Sequence, residues 1–589
     1  MKNLLYIVAI MLFWGGFTAC DLEAPTQSTM DESVIFSTYA LAEPSVMGIH
    51  QSFGETNSYR GRYIPFYGIN SDIEWINNTP LTGAGIADDG KYALTGYDAS
   101  PTNSQMNAVN NAWAKFYEGI ERANMIIRGL RTYGDTANDP AMAQLLGETL
   151  ALRSVIYLDL IKGWGDVPAR FDPINTETLY LPRADRDVIY KQILADLAEA
   201  ENLVAWPNET AITSSTERIN KAFVKGLKAR VALYAAGFSQ RNDGIRKSTD
   251  PELSVEKMYT LAKNAALDVI NSGTATLGGF EENFRRLCQD NVKAGNESLW
   301  EIPFSDGRGR VLYTFGVKHR AVDQYTAQPQ GGVNGPVPNL FYDYDVDDIR
   351  RDITCVPYEW SNTNPAKQEL RTLRSWCFGK LRYEWMNRRV TSTNDDGVNW
   401  QYMRLADVYM MAAEAINELE GPAAAAPYLK PILDRALPAD KVAAYMTQAT
   451  ASKTAFFNAI VDQRAFEFAG ESLRKADLIR WNLLKVKMDE TKSKLNDLAN
   501  RQGAYSDLPE KLYFKTANDG ETLIIYGLNH GETDETGASL GYDGNQIWIG
   551  TDRLTPELIN SLYQKNPDEN QYWPIWQTFI DSSNGQLTN

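Results

Sequence analysis

Histidine is scarce in this chain: His50, His319 and His530 are the three copies in 589 residues. None begins H-E-x-x-H, so the two-histidine zinc helix of metalloproteases is excluded. The four cysteines, Cys20, Cys288, Cys355 and Cys377, form no C-x-x-C, which leaves zinc-ribbon and thioredoxin-like chemistry without ligands. No complete G-x-x-x-x-G-K-[ST] loop is available to cradle a phosphate. Basic residues are outnumbered 58 to 75, and a net charge of −17 opposes binding to nucleic acid. Long apolar runs are missing except for Leu4 to Phe13, which is too short for a comfortable membrane span. Nothing in the sequence asks for a cofactor or a metal. The stretch Asp343-Tyr344-Asp345-Val346-Asp347-Asp348 approaches a calcium loop. It has Asp348 where glycine is needed and Thr354 where the closing glutamate belongs, so it reads as a solvated acidic turn.

What the chain does have is aromatics, 14 Trp, 30 Tyr and 21 Phe, enough to fill a core and leave some for surface platforms. Lys2, the apolar run and Phe17-Thr18-Ala19 before Cys20 make a lipoprotein signal over residues 1–19. The mature chain is then Cys20 to Asn589, held to a membrane only by acyl chains on Cys20. Asp21 and Glu23 follow, in the manner of a surface-export signal. Cys355 and Cys377 have the option of pairing in an oxidising compartment.

Helical periodicity dominates two blocks, about 108–272 and 402–486. Ile189, Ile193, Leu197, Ala200 and Val204 form one stripe, and Val224, Leu227, Val231, Tyr234 and Phe238 another. Helices are expected over 108–131, 141–162 (stopped by Gly163), 255–271, 402–420, 453–469 and 474–486. The spacing of helix pairs suggests a bundle or solenoid without a strict 34-residue repeat. Two loop-rich regions, about 54–101 and 275–400, interrupt this pattern, with a strand-like run at Glu297 to Phe304. No low-complexity linker separates them, so residues 20–589 are expected to form one body.

Residues 148–170 read E-T-L-A-L-R-S-V-I-Y-L-D-L-I-K-G-W-G-D-V-P-A-R. This closely resembles the signature helix of the SusD/RagB family, the surface glycan-binding lipoproteins of Bacteroidota. Four further stretches match in the same order: Leu181-Pro182-Arg183 with its following helix, Asn220-Lys221-Ala222 with Ala229 to Tyr234, Tyr402 to Ala415, and the run Arg464, Glu467, Phe468, Glu471, Arg474, Asp477, Leu478, Arg480, Trp481. In that last run the family usually has Glu-Gly-His-Arg, whereas this chain has Glu471-Ser472-Leu473-Arg474. The tail Tyr572-Trp573-Pro574-Ile575 resembles the family's terminal W-P-I-P, with Trp576 replacing its last proline.

The resemblance implies a mainly α fold, a degenerate tetratricopeptide-like core with long irregular loops and short strands on the ligand side. It implies a non-enzymatic protein at the outer-membrane surface that binds an oligosaccharide or polysaccharide and hands it to a SusC-like TonB-dependent transporter. A sugar offers an apolar face to an aromatic ring and a hydroxyl rim to Asp, Asn and Arg. On that basis, and because the family keeps ligand contacts in these regions, the candidates are Tyr59, Arg62, Tyr63, Asp72, Trp75, Asn77 and Asn78, with Tyr313, Tyr325 and Trp360 as the second wall. Trp75 is the leading platform. A same-fold binder of peptide or another non-glycan nutrient stays open. So does a surface glycosidase, since 75 acidic residues allow a catalytic pair to arise anywhere in space.

Overall fold

The computed structural model describes residues 30–77, 81–82, 85–86, 90–305, 307–394 and 396–589. Cys20, the signal segment and Asn78 lie outside the described residues. The first long helix, α1 (Tyr39–Gly54), precedes α2 (Ala112–Tyr133), α3 (Pro140–Trp164), α4 (Arg186–Leu203), α5 (Lys221–Ala235) and α6 (Val255–Ser272). After the irregular region come α7 (Leu405–Glu420), α8 (Pro422–Asp434), α9 (Ala439–Ala449), α10 (Lys453–Phe468), α11 (Arg474–Arg480) and α12 (Leu484–Asn500). Each helix from α2 to α8 packs against the next, so α6 meets α7 across the whole inserted region. This is the expected tetratricopeptide-like stack.

Local chemistry sets the helix ends. Asn111 accepts the Ala114 N–H, which starts α2 there rather than at residue 108. Asp139 caps α3, and Pro140 occupies its first turn, where a missing N–H costs nothing. The helix runs through Gly163 and stops at Gly165 (φ 72°), because only the second glycine takes the left-handed turn. Gly163 is instead a contact point, accepting the Trp573 N–H. Two other glycines set helix spacing. A Cβ on Gly119 would sit 2.8 Å from Ile156 Cδ1 and from Ser52 Oγ, and one on Gly147 would sit 2.5 Å from Val204.

Two helix expectations are corrected. Residues 402–404 are strand, not helix: β4 (Trp400–Arg404) pairs antiparallel with β2 (Ser298–Ile302), Trp400 opposite Ile302. Ladder pairing overrides the heptad spacing of Tyr402 with α7. The span 474–486 is broken at Asn482 (φ 58°) into α11 and α12. Strand β1 (Glu74–Ile76) lies in the first loop region and pairs with β3 (Asn334–Pro336) of the second. Near the C-terminus β5 (Lys511–Thr516) is flanked by β6 (Leu523–Tyr526) and β7 (Gly544–Ile547). One contiguous set of buried apolar residues extends from Phe36 to Leu587.

The run that matches the family most diagnostically is a lattice of buried ions. Asp407 on α7 takes Arg230 of α5 at 2.6 Å and Arg464 of α10 at 2.7 Å, and Arg464 also holds Asp477 at 2.6 Å. Arg480 joins Asp477 to Glu414, which also accepts Trp481 Nε1–H at 3.0 Å. Glu467, fully buried, is shared by Arg350, Arg404 and Arg435. Losing one member strands its partners without water, so such lattices are retained together. Ser472, where the family has glycine, adopts φ 56°. Glu471 still reaches Arg404 and Lys380, and Arg474 still reaches Asp72, so the register survives the substitution.

Cys355 and Cys377 lie on adjacent strands, but Phe378, not Cys377, faces Cys355; all three described cysteines are free and buried. The disulfide option is therefore not taken. Burial pushes the Cys288 thiol up to about 12. In the acidic turn, Asp345 and Asp347 pair with Lys441, and Asp348 holds Arg350.

Candidate functional site

The loop from residue 54 to 77 is tied to the helical stack from beneath. A π-helical turn, Tyr59–Tyr63, followed by the short helix Ile64–Tyr67, puts Tyr59, Tyr63 and Tyr67 on one inward face. Tyr59 and Tyr63 donate their hydroxyls to Asp159 of α3, and Tyr63 stacks on Tyr67 at 4.9 Å and 7°. Asp72 accepts both prongs of Arg474 at 2.8 and 2.6 Å. Trp75 is 2% exposed within β1. Asn77 donates to the carbonyls of Gly332 and Trp376. A sugar platform needs an open ring face, and none of these rings has one. The expected surface cluster is thus a buried floor. Its signal was legible, since tyrosines four residues apart follow a helix face.

The second wall divides in the same way. Trp360 is 3% exposed, stacked on His319 at 5.8 Å in a small separate core with Val317, Val356 and Cys377. Tyr325 is half-buried beside it, 4.9 Å between centroids, and donates to Glu521. Tyr313 is also half-buried, with the Arg310 guanidinium 4.5 Å from its ring centroid.

Arg62 and Tyr313, one from each loop region, are brought to one corner through Arg310. Arg62 donates to Gln105 O at 3.0 Å and feels the charge of Arg310. Sequence reasoning missed the residues that complete this corner, although both contributing segments carry the same triplet: Arg60-Gly61-Arg62 and Arg308-Gly309-Arg310. Each glycine is required. A Cβ on Gly61 would lie 1.9 Å from Thr56 O, and one on Gly309 (φ 144°) would lie 2.5 Å from Asp396 Oδ1. Buried Asp396 braces the second triplet by accepting the Leu312 N–H at 3.1 Å, and burial pushes its carboxyl up to about 7. Arg60 is 7% exposed, and its Nη2 donates to Thr56 Oγ1 at 2.8 Å. Its Nε and Nη1 have no hydrogen-bond partner among the described residues. Burial, then the nearby charges of Arg308 and Arg310, lower its pKa.

Other hollows are present. One of about 400 Å³ holds Arg183, Arg186, Gln240, Arg241, Tyr572 and Trp573. Another of about 600 Å³ is lined by residues of 276–297, including Arg285, Asn291 and Asn296. A G-x-S-x-G stretch, Gly537 to Gly541, sits at the end of the short helix Asp534–Ser539. There the Ser539 hydroxyl donates to Thr536 O, which is not the strand-to-helix elbow of a hydrolase nucleophile.

Two family models match this chain. The first, described as starch-binding associating with the outer membrane, covers residues 55–233, and the second, the SusD family, covers 356–589. SusD-like protein P25 of Formosa agariphila is 23% identical over 536 residues, spanning 82% of this chain and 91% of that protein. SusD-like protein P2 of the same organism is 24% identical over 507 residues, 81% and 90% of the two chains. Among solved structures, a SusD homolog from Bacteroides thetaiotaomicron superposes with a TM-score of 0.71 at 18% identity, over 95% of this chain and 97% of that one. Surface glycan-binding protein A of the same organism, solved with laminarihexaose, gives 0.61 at 17% identity over 93% and 98%. With matched segments in both halves and the fold shared along nearly its whole length, the chain is a SusD-like family protein.

Proposed function

We propose that this protein captures an oligosaccharide or polysaccharide at the outer-membrane surface and delivers it to a SusC-like TonB-dependent transporter, without cleaving it. The observation that carries the reading is the match of residues 55–233 to the model described as starch-binding and outer-membrane-associated. The fold shared with a protein solved on laminarihexaose supports it. Cys20 is the anchor in this reading. The ligand site is the corner where Arg62, Arg310 and Tyr313 meet. Tyr313, half-buried with Arg310 over its ring, is less enclosed than Tyr59, Tyr63 and Trp75, and in this reading its uncovered part meets a sugar's apolar face.

Affinity electrophoresis of residues 21–589 through a panel of polysaccharides tests this. Retardation by a glycan, weakened in Tyr313→Ala and without release of reducing ends, is the expected result. Release of reducing ends would establish a glycosidase instead. Retardation by no glycan, with binding to a peptide panel, would replace carbohydrate by a peptide nutrient.

A further inference from the structure

Arg60 lies within reach of the charges of Arg308 and Arg310, and Arg62 of that of Arg310, so four guanidinium groups gather at the corner just described against the two carboxylates of Asp396 and Glu55, in a chain whose net charge is −17. The two Arg-Gly-Arg triplets come from the first and second loop regions. Their glycines let each backbone pass against a neighbour. Arg308 is exposed, Arg310 and Arg62 are half-buried, and Arg60 lies beneath with Nε and Nη1 unpaired among the described residues. Buried donors without partners are costly, more so when charged, so a fold tolerates them where a ligand completes the set. Close like charges add to that cost.

Resting on the glycan reading above, we infer that this corner binds the anionic group of an acidic glycan, a carboxylate or a sulfate ester, with Arg60 as its floor and Arg308 and Arg310 as its rim. The planar fork of arginine matches two oxygens of either group at once, which lysine does not. Tyr313, already against Arg310, places an aromatic edge beside the charged subsite for the sugar ring that bears it. The net negative charge of the chain repels polyanions, so local attraction at this corner orients the glycan as well as holding it.

The test is affinity electrophoresis of residues 21–589 through uronate-rich, sulfated and neutral polysaccharides. Wild type is run beside Arg308→Gln/Arg310→Gln, Arg60→Gln and the control Arg553→Gln, with melting temperature measured for each. Arg308 is exposed and Arg310 half-buried, so the double variant is expected to melt like wild type. Retardation by an acidic glycan, weakened about tenfold or more in the double variant and by added salt, is the expected result. Whether the uronate or the sulfated arm is retained names the anionic group. An acidic glycan retained equally by the double variant would overturn the assignment of this site. Retention of neutral glycans alone would overturn the inference and leave the glycan reading standing. Retention of nothing in any arm would overturn both.

Discussion

Lys475, on α11, is 3% exposed. Its ammonium lies 4.5 Å from the Tyr97 ring and 5.4 Å from that of Tyr67, with no carboxylate in ion-pair range among the described residues. Burial alone lowers its pKa from 10.5 to about 7. The folded state therefore binds fewer protons than the unfolded state between those values, and stability rises with pH across that window. At about 1.4 kcal/mol per unit, the charge imposes a cost of about 4 kcal/mol at pH 7 and about 2 kcal/mol at pH 9. The two rings offset on the order of 1–2 kcal/mol of this. Lys475→Met keeps the length and removes the charge. It is expected to raise stability by about 2–4 kcal/mol at pH 7, and the gain is expected to shrink by about 2 kcal/mol at pH 9. Urea midpoints of wild type and variant at pH 7, 8 and 9 measure the difference, in which all other titrations cancel. A difference that does not change with pH, or a less stable variant at pH 7, would refute the reasoning.

Three further outcomes are expected. Ser472→Gly relieves a left-handed backbone (φ 56°) and removes a buried hydroxyl without a partner among the described residues, so it should stabilise by about 1 kcal/mol in thermal or urea unfolding. Asp407→Asn takes the carboxylate from Arg230 and one of two from Arg464, both 3% or less exposed, and should cost about 3–5 kcal/mol in the same assay. Trp75→Ala should cost a similar amount, about 3–5 kcal/mol, through the cavity it leaves; a variant with unchanged stability but no glycan retention would return Trp75 to the ligand surface.

The helical stack was legible because its signal is local. The stripe Val224, Leu227, Val231 and Tyr234 needs no tertiary information to be read as a helix face. The strand at Trp400–Arg404 was not, because its partner Ile302 is distant in sequence and the same residues also fit a helix. The family run from Arg464 to Trp481 was recognisable as a pattern, but its reason, the sharing of Asp407, Asp477, Glu414 and Glu467 among buried arginines, exists only once the helices meet. At the candidate site, counting aromatics pointed to residues that the fold turns inward. Tyr59, Tyr63 and Trp75 mix with polar residues as a sugar platform does, yet Asp159 and β3 draw them inward. Glycine flanked by arginine, repeated once in each loop region, was the more informative signal, since it marks a backbone that must pass close to something while presenting charge.

The measurement that most directly tests where this protein holds its ligand is a crystal structure with a bound oligosaccharide, taken from whichever polysaccharide is retained in the electrophoresis. The expected result is a sugar ring against the Tyr313 edge, with oxygens in hydrogen-bond contact with Arg308 or Arg310. A sugar seated instead in the hollow of Arg183, Arg241 and Tyr572, or in that of Arg285 and Asn296, with Tyr313 untouched, would contradict it.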